Sequence, residues 1–205
     1  MRARAQAYLC ATGGSGVGAY TASSVIALVK LQVVDFIRRR DGYPANLENI
    51  ALTTGASEGV KRCLAAIISN SNDGVMIPCP QYPLYSASIT MYGGKSIYYD
   101  LDEATSWKIT RASLEKACQE NLSVNVRSIA VINPGNPSRA VLDLSDIEMI
   151  IVFSFEKNLV ILADEVYQEK GRREVVPLLQ EGAEADAGEG CQVQPVAAHL
   201  QGPHR

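Results

Sequence analysis

Four places along the chain bring together residue types that can do chemistry. In "LVILADEVYQE" an apolar run, Leu159 to Ala163, delivers Asp164 and, three residues on, Tyr167. In "NPGNPS" two Asn-Pro pairs present Asn133 and Asn136 in a rigid turn. In "CPQYPLY" prolines on both sides restrict the backbone around Tyr82 and can present its ring as a stacking plate. In Gly55-Ala56-Ser57 a glycine turn supplies free backbone N–H groups and a hydroxyl at a helix start, which suits a phosphate. Each has a plainer reading: Gly-x-Ser is an ordinary N-cap, Asn-Pro pairs make turns, a tyrosine between prolines packs, and a carboxylate at a strand end caps the next helix. Their coincidence carries the signal. A phosphate cradle, an aromatic plate, an amide and a buried acid are what grip a flat, phosphorylated, nitrogen-containing ring.

Those residues need elements to position them. From Asn46 onward short apolar runs alternate with helical segments, the pattern of a mostly parallel α/β sheet with helices on both faces. "NIALTT", "GVMIP", "KSIYYD", "RSIAVI" and "LVILAD" read as strands; "ASEGVKRCLAAIISN", "YPLYSASITMY", "RASLEKACQEN" and "SDIEMIIVFSFEKN" read as helices, the last opened by a Ser145-x-x-Glu148 capping box. Ile129 to Ile132 and Leu159 to Ala163 are apolar without alternation, as strands covered on both faces should be. Upstream, "SSVIALVKLQVVDFIRRRDGYPA" predicts a helix ending at Gly42 with three arginines in its last turns, where positive charge suits the helix dipole. In open parallel sheets ligands bind at the carboxyl ends of the strands, and the four places named above all leave those ends.

Composition narrows the function. A net charge of -3, with no like-charge block longer than Arg38-Arg39-Arg40, gives no footprint for nucleic acid or an anionic membrane, so small molecules or proteins are the expected partners. The five cysteines are widely spaced with no C-x-x-C pair, which suggests neither a disulfide framework nor a zinc site; no metal is expected. No apolar run has the length of a membrane span and the first ten residues lack a signal-peptide core. The expected compartment is the cytoplasm. Residues 1–34 hold Arg2, Arg4 and Lys30 but no acid, a hint of an import leader that keeps the mitochondrion as the alternative.

The stretch from about Gly16 to Glu169 resembles the pyridoxal-phosphate (PLP) aminotransferases of the aspartate aminotransferase-like fold, and most closely the alanine aminotransferases. The resemblance lies in "RRDGYPANLENI", "GASEGV", "NDGVMIPCPQYPLYSASIT", "VINPGNPS" and "LADEVYQE", in order and at family-like spacing. It implies that residues 16–169 are part of the PLP-binding large domain, after a poorly ordered segment 1–15. It implies that Asp164 keeps the pyridine nitrogen protonated, so that the ring accepts electrons from the substrate carbanion. Asn136 and Tyr167 would hydrogen-bond the 3-hydroxyl oxygen, Tyr82 would stack on the ring, and Ala56 and Ser57 would hold the phosphate. Tyr20, in "GVGAYTASS", matches a tyrosine that in such homodimers reaches the neighbouring subunit's phosphate.

The departures are as informative. Val25, Leu28 and Lys30 stand where relatives carry glycines and an arginine, and Arg139 stands where a glycine is usual, a strained choice if that position needs a positive φ. The family's Schiff-base lysine, in an S-x-x-K or S-x-S-K-G context well downstream of the aspartate, has no match. Lys157 precedes the strand of Asp164, and Lys170 follows it by only six residues. The phosphate and substrate arginines and the small domain also have no match. No catalytic residue is therefore assigned. Residues 168–205 hold no aromatic and no isoleucine, and from about Lys170 the chain resembles nothing in the family; 170–205 reads as a disordered tail on a truncated relative. The resemblance implies transfer of an amino group from L-alanine to 2-oxoglutarate, giving pyruvate and L-glutamate by a ping-pong route, in a chain expected to be inactive alone. A non-catalytic relative that binds PLP or pairs with a partner, and a glutamate:glyoxylate aminotransferase, are the alternatives.

Overall fold

The computed structural model describes residues 2–12, 26–167 and 196–197. Contacts divide the chain into Met1–Thr54 and Gly55–Arg205, a division that falls inside the range 16–169 read above as one domain.

In the first unit, helix α1 (Arg2–Ala11) buries no side chain, and the Tyr8 hydroxyl donates to Oε1 of Gln32 at 2.7 Å. The opening segment, expected to be poorly ordered, is thus helical over these residues. Helix α2 (Ala27–Asp41) stops where the sequence says it should: Gly42 takes φ 79° and its N–H returns to the Arg38 carbonyl. "NIALTT" does not become a strand. A 3₁₀ turn over Leu47–Asn49, capped by the Asn46 side chain on the Glu48 N–H, consumes the start of that run, and 51–53 form no ladder.

The second unit is a βα-alternating layer structure. Its helices and strands are α3 (Ala56–Ile67), β1 (Asp73–Cys79), α4 (Leu84–Met91), β2 (Lys95–Asp100), α5 (Arg111–Gln119), β3 (Asn125–Ile132), α6 (Leu144–Glu156) and β4 (Val160–Asp164). The sheet order is β2-β1-β3-β4, all parallel, and a two-residue β5 (Val196–Ala197) pairs with Leu162 and Ala163. Six consecutive residues of β1 are buried, as a centrally placed strand covered on both faces requires. At the edge, β2 alternates, burying Ile97 and Tyr99 and exposing Tyr98.

Parallel strands need crossovers, and right-handed crossovers dictate the faces. Moving outward from β1 to β2 puts α4 on one face, and returning past β1 to β3 puts α5 on the other. The core follows this division. Val60, Leu64 and Ile68 of the α3 segment join Tyr85 and Ile89 of α4 over Val75 and Ile77. On the opposite face Leu114 and Ala117 of α5 join Ile147, Ile150 and Ile151 of α6 over Met76, Ile97 and Ile129.

One capping assignment is corrected. Helix α6 is capped two residues earlier than the sequence suggests, by Asp143: Asp143 Oδ1 accepts from the Asp146 N–H at 2.9 Å and Asp146 Oδ2 accepts from the Asp143 N–H at 3.1 Å. Asp143 does what Ser145 was expected to do: the Ser145 hydroxyl donates to Asp143 Oδ1 at 2.7 Å, and the same carboxylate pairs with the Lys108 ammonium at 2.5 Å. Among the described residues no helix is long and apolar enough to cross a membrane.

Candidate functional site

Strand order fixes where a ligand can sit. The chain leaves β1 toward β2 on one side and reappears as β3 on the other, so the loops after β1 and β3 diverge and open a crevice at their carboxyl ends. Three cis peptide bonds lie in these loops, at Cys79–Pro80, Asn133–Pro134 and Asn136–Pro137. The crevice is therefore framed by "CPQYP" from β1, "NPGNPS" from β3 and the end of β4.

Asp164 is the last residue of β4, in register with Ile132, and is 8% exposed. Its carbonyl accepts the N–H of Asn133 at 3.0 Å. On its side chain, Oδ2 accepts the Tyr85 hydroxyl at 2.8 Å, while Oδ1 has a long 3.4 Å contact with the Val166 N–H. Burial pushes the carboxyl above its ordinary range; the two donors pull the other way without prevailing. Among the described residues Asp164 has no ion pair with a cationic side chain. A carboxylate buried at a strand end without a protein cation suits a protonated ring nitrogen, which answers its charge in a low-dielectric site.

Tyr85 was missed in the sequence. It sits three residues after Tyr82, so one turn of chain sets both, but its hydroxyl partner is 79 residues away and no local pattern announces it. It is 1% exposed, and burial followed by the Asp164 charge drives its pKa well up, so it stays a donor.

Of the remaining expected residues, Tyr82 follows β1, Asn136 follows β3 and Tyr167 follows β4, while Ala56 and Ser57 open α3. Gly55 is the N-cap of α3 at φ 137°, a value glycine tolerates, and supplies no capping side chain to the first turn. Ala56 and Ser57 open that turn, Ser57 exposed, so backbone N–H groups and a hydroxyl face outward at a helix start. The apolar cluster that buries α3 also holds Tyr85, tying the two helix starts together. Tyr82 is 47% exposed ahead of α4, and its carbonyl accepts the Tyr85 N–H. In the loop after β3 the Asn133 side chain accepts the Leu142 N–H at 3.1 Å and closes the loop; Asn136, half-buried, lines a small cavity with Pro80, Trp107 and Ile132. Tyr167 is half-buried in the turn after β4. Tyr20 lies outside the described residues, as does Lys170. Lys157 ends α6 and precedes β4, which places it at the opposite end of the strand from Asp164.

The profile of aminotransferase class I and II matches residues 1–187. The chain belongs to that family. Members of this family generally work with PLP, act on amino and oxo acids, and are generally dimeric. A probable mitochondrial alanine aminotransferase of Dictyostelium discoideum is 47% identical over 154 residues, 74% of this chain and 29% of that protein. Glutamate–glyoxylate aminotransferase 1 of Arabidopsis thaliana is 44% identical over 169 residues, 82% of this chain and 35% of that one. The chain thus spans about a third of the length of the curated relatives it matches. Among solved structures, an aminotransferase from Escherichia coli superposes with a TM-score of 0.68 at 25% identity, over 75% of this chain and 37% of that chain. An alanine aminotransferase from Pyrococcus furiosus gives 0.68 at 24%, over 80% and 40%, and carries the fold alone. These matches bear out the aminotransferase resemblance and the α/β sheet read from the sequence, although the profile match, over 1–187, runs past the 16–169 over which the sequence was read as family-like.

Proposed function

We propose that this chain is the cofactor-binding portion of an aminotransferase that moves an amino group between L-alanine and 2-oxoglutarate, and that it binds PLP at the crevice described above. The observation that carries the reading is Asp164, buried at the carboxyl edge of the sheet beside the switch crevice with no cationic side chain paired to it among the described residues. When bound, PLP supplies a protonated pyridine ring that accepts the electron pair left on the substrate carbon. Asp164 holds the proton on the ring nitrogen. Tyr82 covers a ring face, Asn136 and Tyr167 hold the 3-hydroxyl oxygen, and Ala56 and Ser57 take the phosphate through N–H groups and a hydroxyl. Tyr20, outside the described residues, keeps the role that the resemblance implies for it, at a second copy's phosphate in a homodimer.

The 205 residues hold no lysine beyond Lys170. None of these 205 residues is assigned the proton transfer and covalent attachment that a lysine performs in this chemistry. The expected outcome is saturable, fully reversible PLP binding, with no protein-bound cofactor left after borohydride reduction and dialysis, and no pyruvate formed from L-alanine and 2-oxoglutarate. A reduced adduct on a single lysine, or a clear pyruvate signal, would overturn the inactive reading; absence of saturable binding would overturn the PLP reading itself. The Arabidopsis glutamate–glyoxylate relative, at 44% identity over 169 residues, favours glyoxylate as a second candidate acceptor.

A further inference from the structure

The segment that enters α4 does more than present Tyr82. Tyr85 is one of the largest fully buried side chains in the chain, packed with Val60, Leu64 and Ile89, yet its hydroxyl is aimed out of that apolar cluster onto Asp164 Oδ2 at 2.8 Å. A buried phenylalanine would pack as well, so packing does not explain the oxygen. The bond occupies Oδ2 and leaves Oδ1, which has only the long contact from Val166, as the oxygen able to accept a stronger donor.

We infer that Tyr85 is a positioning residue that keeps the Asp164 carboxylate ionised and its Oδ1 turned toward the cofactor's ring nitrogen, an inference that rests on the reading of Asp164 as that nitrogen's partner. A neutral donor on one oxygen stabilises the charged form of a desolvated carboxylate without competing for it as a second cation would. The phenol does not surrender its proton, because burial and the neighbouring charge both oppose its ionisation. The other titratable groups near the pair are Cys63 of α3 and Tyr99 of β2, each held neutral by burial, together with Glu165 next in the chain. Tyr82 and Tyr85 share the approach to α4, so the ring's face and its nitrogen are addressed from one rigid piece of backbone.

The test uses the full chain, with Asp164 followed by ¹³C carboxyl NMR and ring-¹⁵N-labelled PLP as the probe. In Tyr85→Phe, Asp164 should titrate at higher pH than in the unsubstituted chain. The bound ring nitrogen should shift toward the neutral-pyridine position, and PLP should bind about tenfold more weakly. In an Asp164→Asn background, where affinity is already low, the same substitution should weaken the residual PLP binding no further. The unsubstituted chain provides an independent check, since its Tyr85 hydroxyl proton should give a downfield resonance protected from exchange. Unchanged Asp164 titration and ring shift in a folded Tyr85→Phe, or no protected hydroxyl, would reduce Tyr85 to packing and leave the Asp164 reading standing. Failure of the unsubstituted chain to bind PLP would remove that reading, and the inference with it, even if the Asp164 titration moved.

Discussion

The backbone N–H of Asn133 donates to the Asp164 carbonyl at 3.0 Å, one step beyond the last registered pair of β3 and β4, Ile132 and Asp164. The Asn-Pro turn and the acid are therefore mounted on a common rung. That rung is made by main-chain atoms, so the side chain of Asp164 can be changed without dismantling the turn.

Replacing Asp164 with asparagine should stabilise the cofactor-free protein and remove tight PLP binding. Burial raises the folded carboxyl above its unfolded value, so its contribution to stability is present below the unfolded pKa and is lost as pH rises through the folded one. The amide has no charge to desolvate. Calorimetry should show Asp164→Asn melting higher at pH 7, with the difference vanishing toward pH 3; a variant that melts lower at pH 7 contradicts this account.

Asp73 behaves in the opposite sense. Fully buried at the start of β1, it accepts the Ser69 N–H at 2.9 Å, the Asn125 amide at 2.9 Å and Arg127 Nε at 3.0 Å. The Ser69 bond first, and Arg127 next, hold its carboxyl down at about 2. Its stabilisation is therefore present above the ordinary value of 3.8 and is lost as pH falls toward 2. Asp73→Asn should melt lower than the unsubstituted chain at pH 7 and converge with it near pH 2, seen as a flatter acid limb in a melting-temperature profile. An acid limb of undiminished slope would show that other carboxylates set it.

Much of this arrangement was legible because its signals are local. Unbroken apolar runs announced β3 and β4, Gly42 closed α2, and Tyr82, Asn136, Asp164 and Tyr167 each stand within a few positions of a strand end. What was not legible depends on distant partners. "NIALTT" has strand composition, yet its first residue, Asn49, ends a 3₁₀ turn capped by the Asn46 side chain. Ser145 and Glu148 match a capping pattern, but the cap is Asp143, which also pairs with Lys108 35 residues earlier. Tyr85 looks like an ordinary aromatic of a helix until Asp164 arrives across 79 residues of chain.

Arg139 takes φ 60°, the left-handed conformation the sequence flagged as awkward for a residue with a side chain. Arg139→Gly should stabilise by up to about 1 kcal/mol, relief of the strain exceeding the extra freedom glycine gives the unfolded chain. Urea unfolding at constant m-value would read it; a loss of stability would mean that the guanidinium makes a contact worth more than the strain.

Gly74 is constrained by space rather than by φ. A Cβ there would lie 2.6 Å from Val124 Cγ1 and 3.1 Å from Ile97 Cγ1, where β1 meets β2. Gly74→Ala should cost about 1–3 kcal/mol in chemical denaturation. It lies at the opposite end of β1 from the crevice, so PLP affinity of the folded fraction should be unchanged; a parallel loss of affinity would show that strain travels the length of the strand.

The two faces of the sheet have separate employments. The side chains offered to the ring come from the start of α3, the approach to α4 and the strand ends, whereas α5 and α6 cover the far side with Leu114, Ile147, Ile150 and Ile151 and add none. Random mutagenesis confined to the α5/α6 side should therefore yield variants that differ in lifetime and heat tolerance but share one cofactor preference. Libraries confined to the α3/α4 side should yield altered ligand choice. An engineer could harden the molecule and retarget it as two independent projects, working from opposite sides of a layer one strand thick.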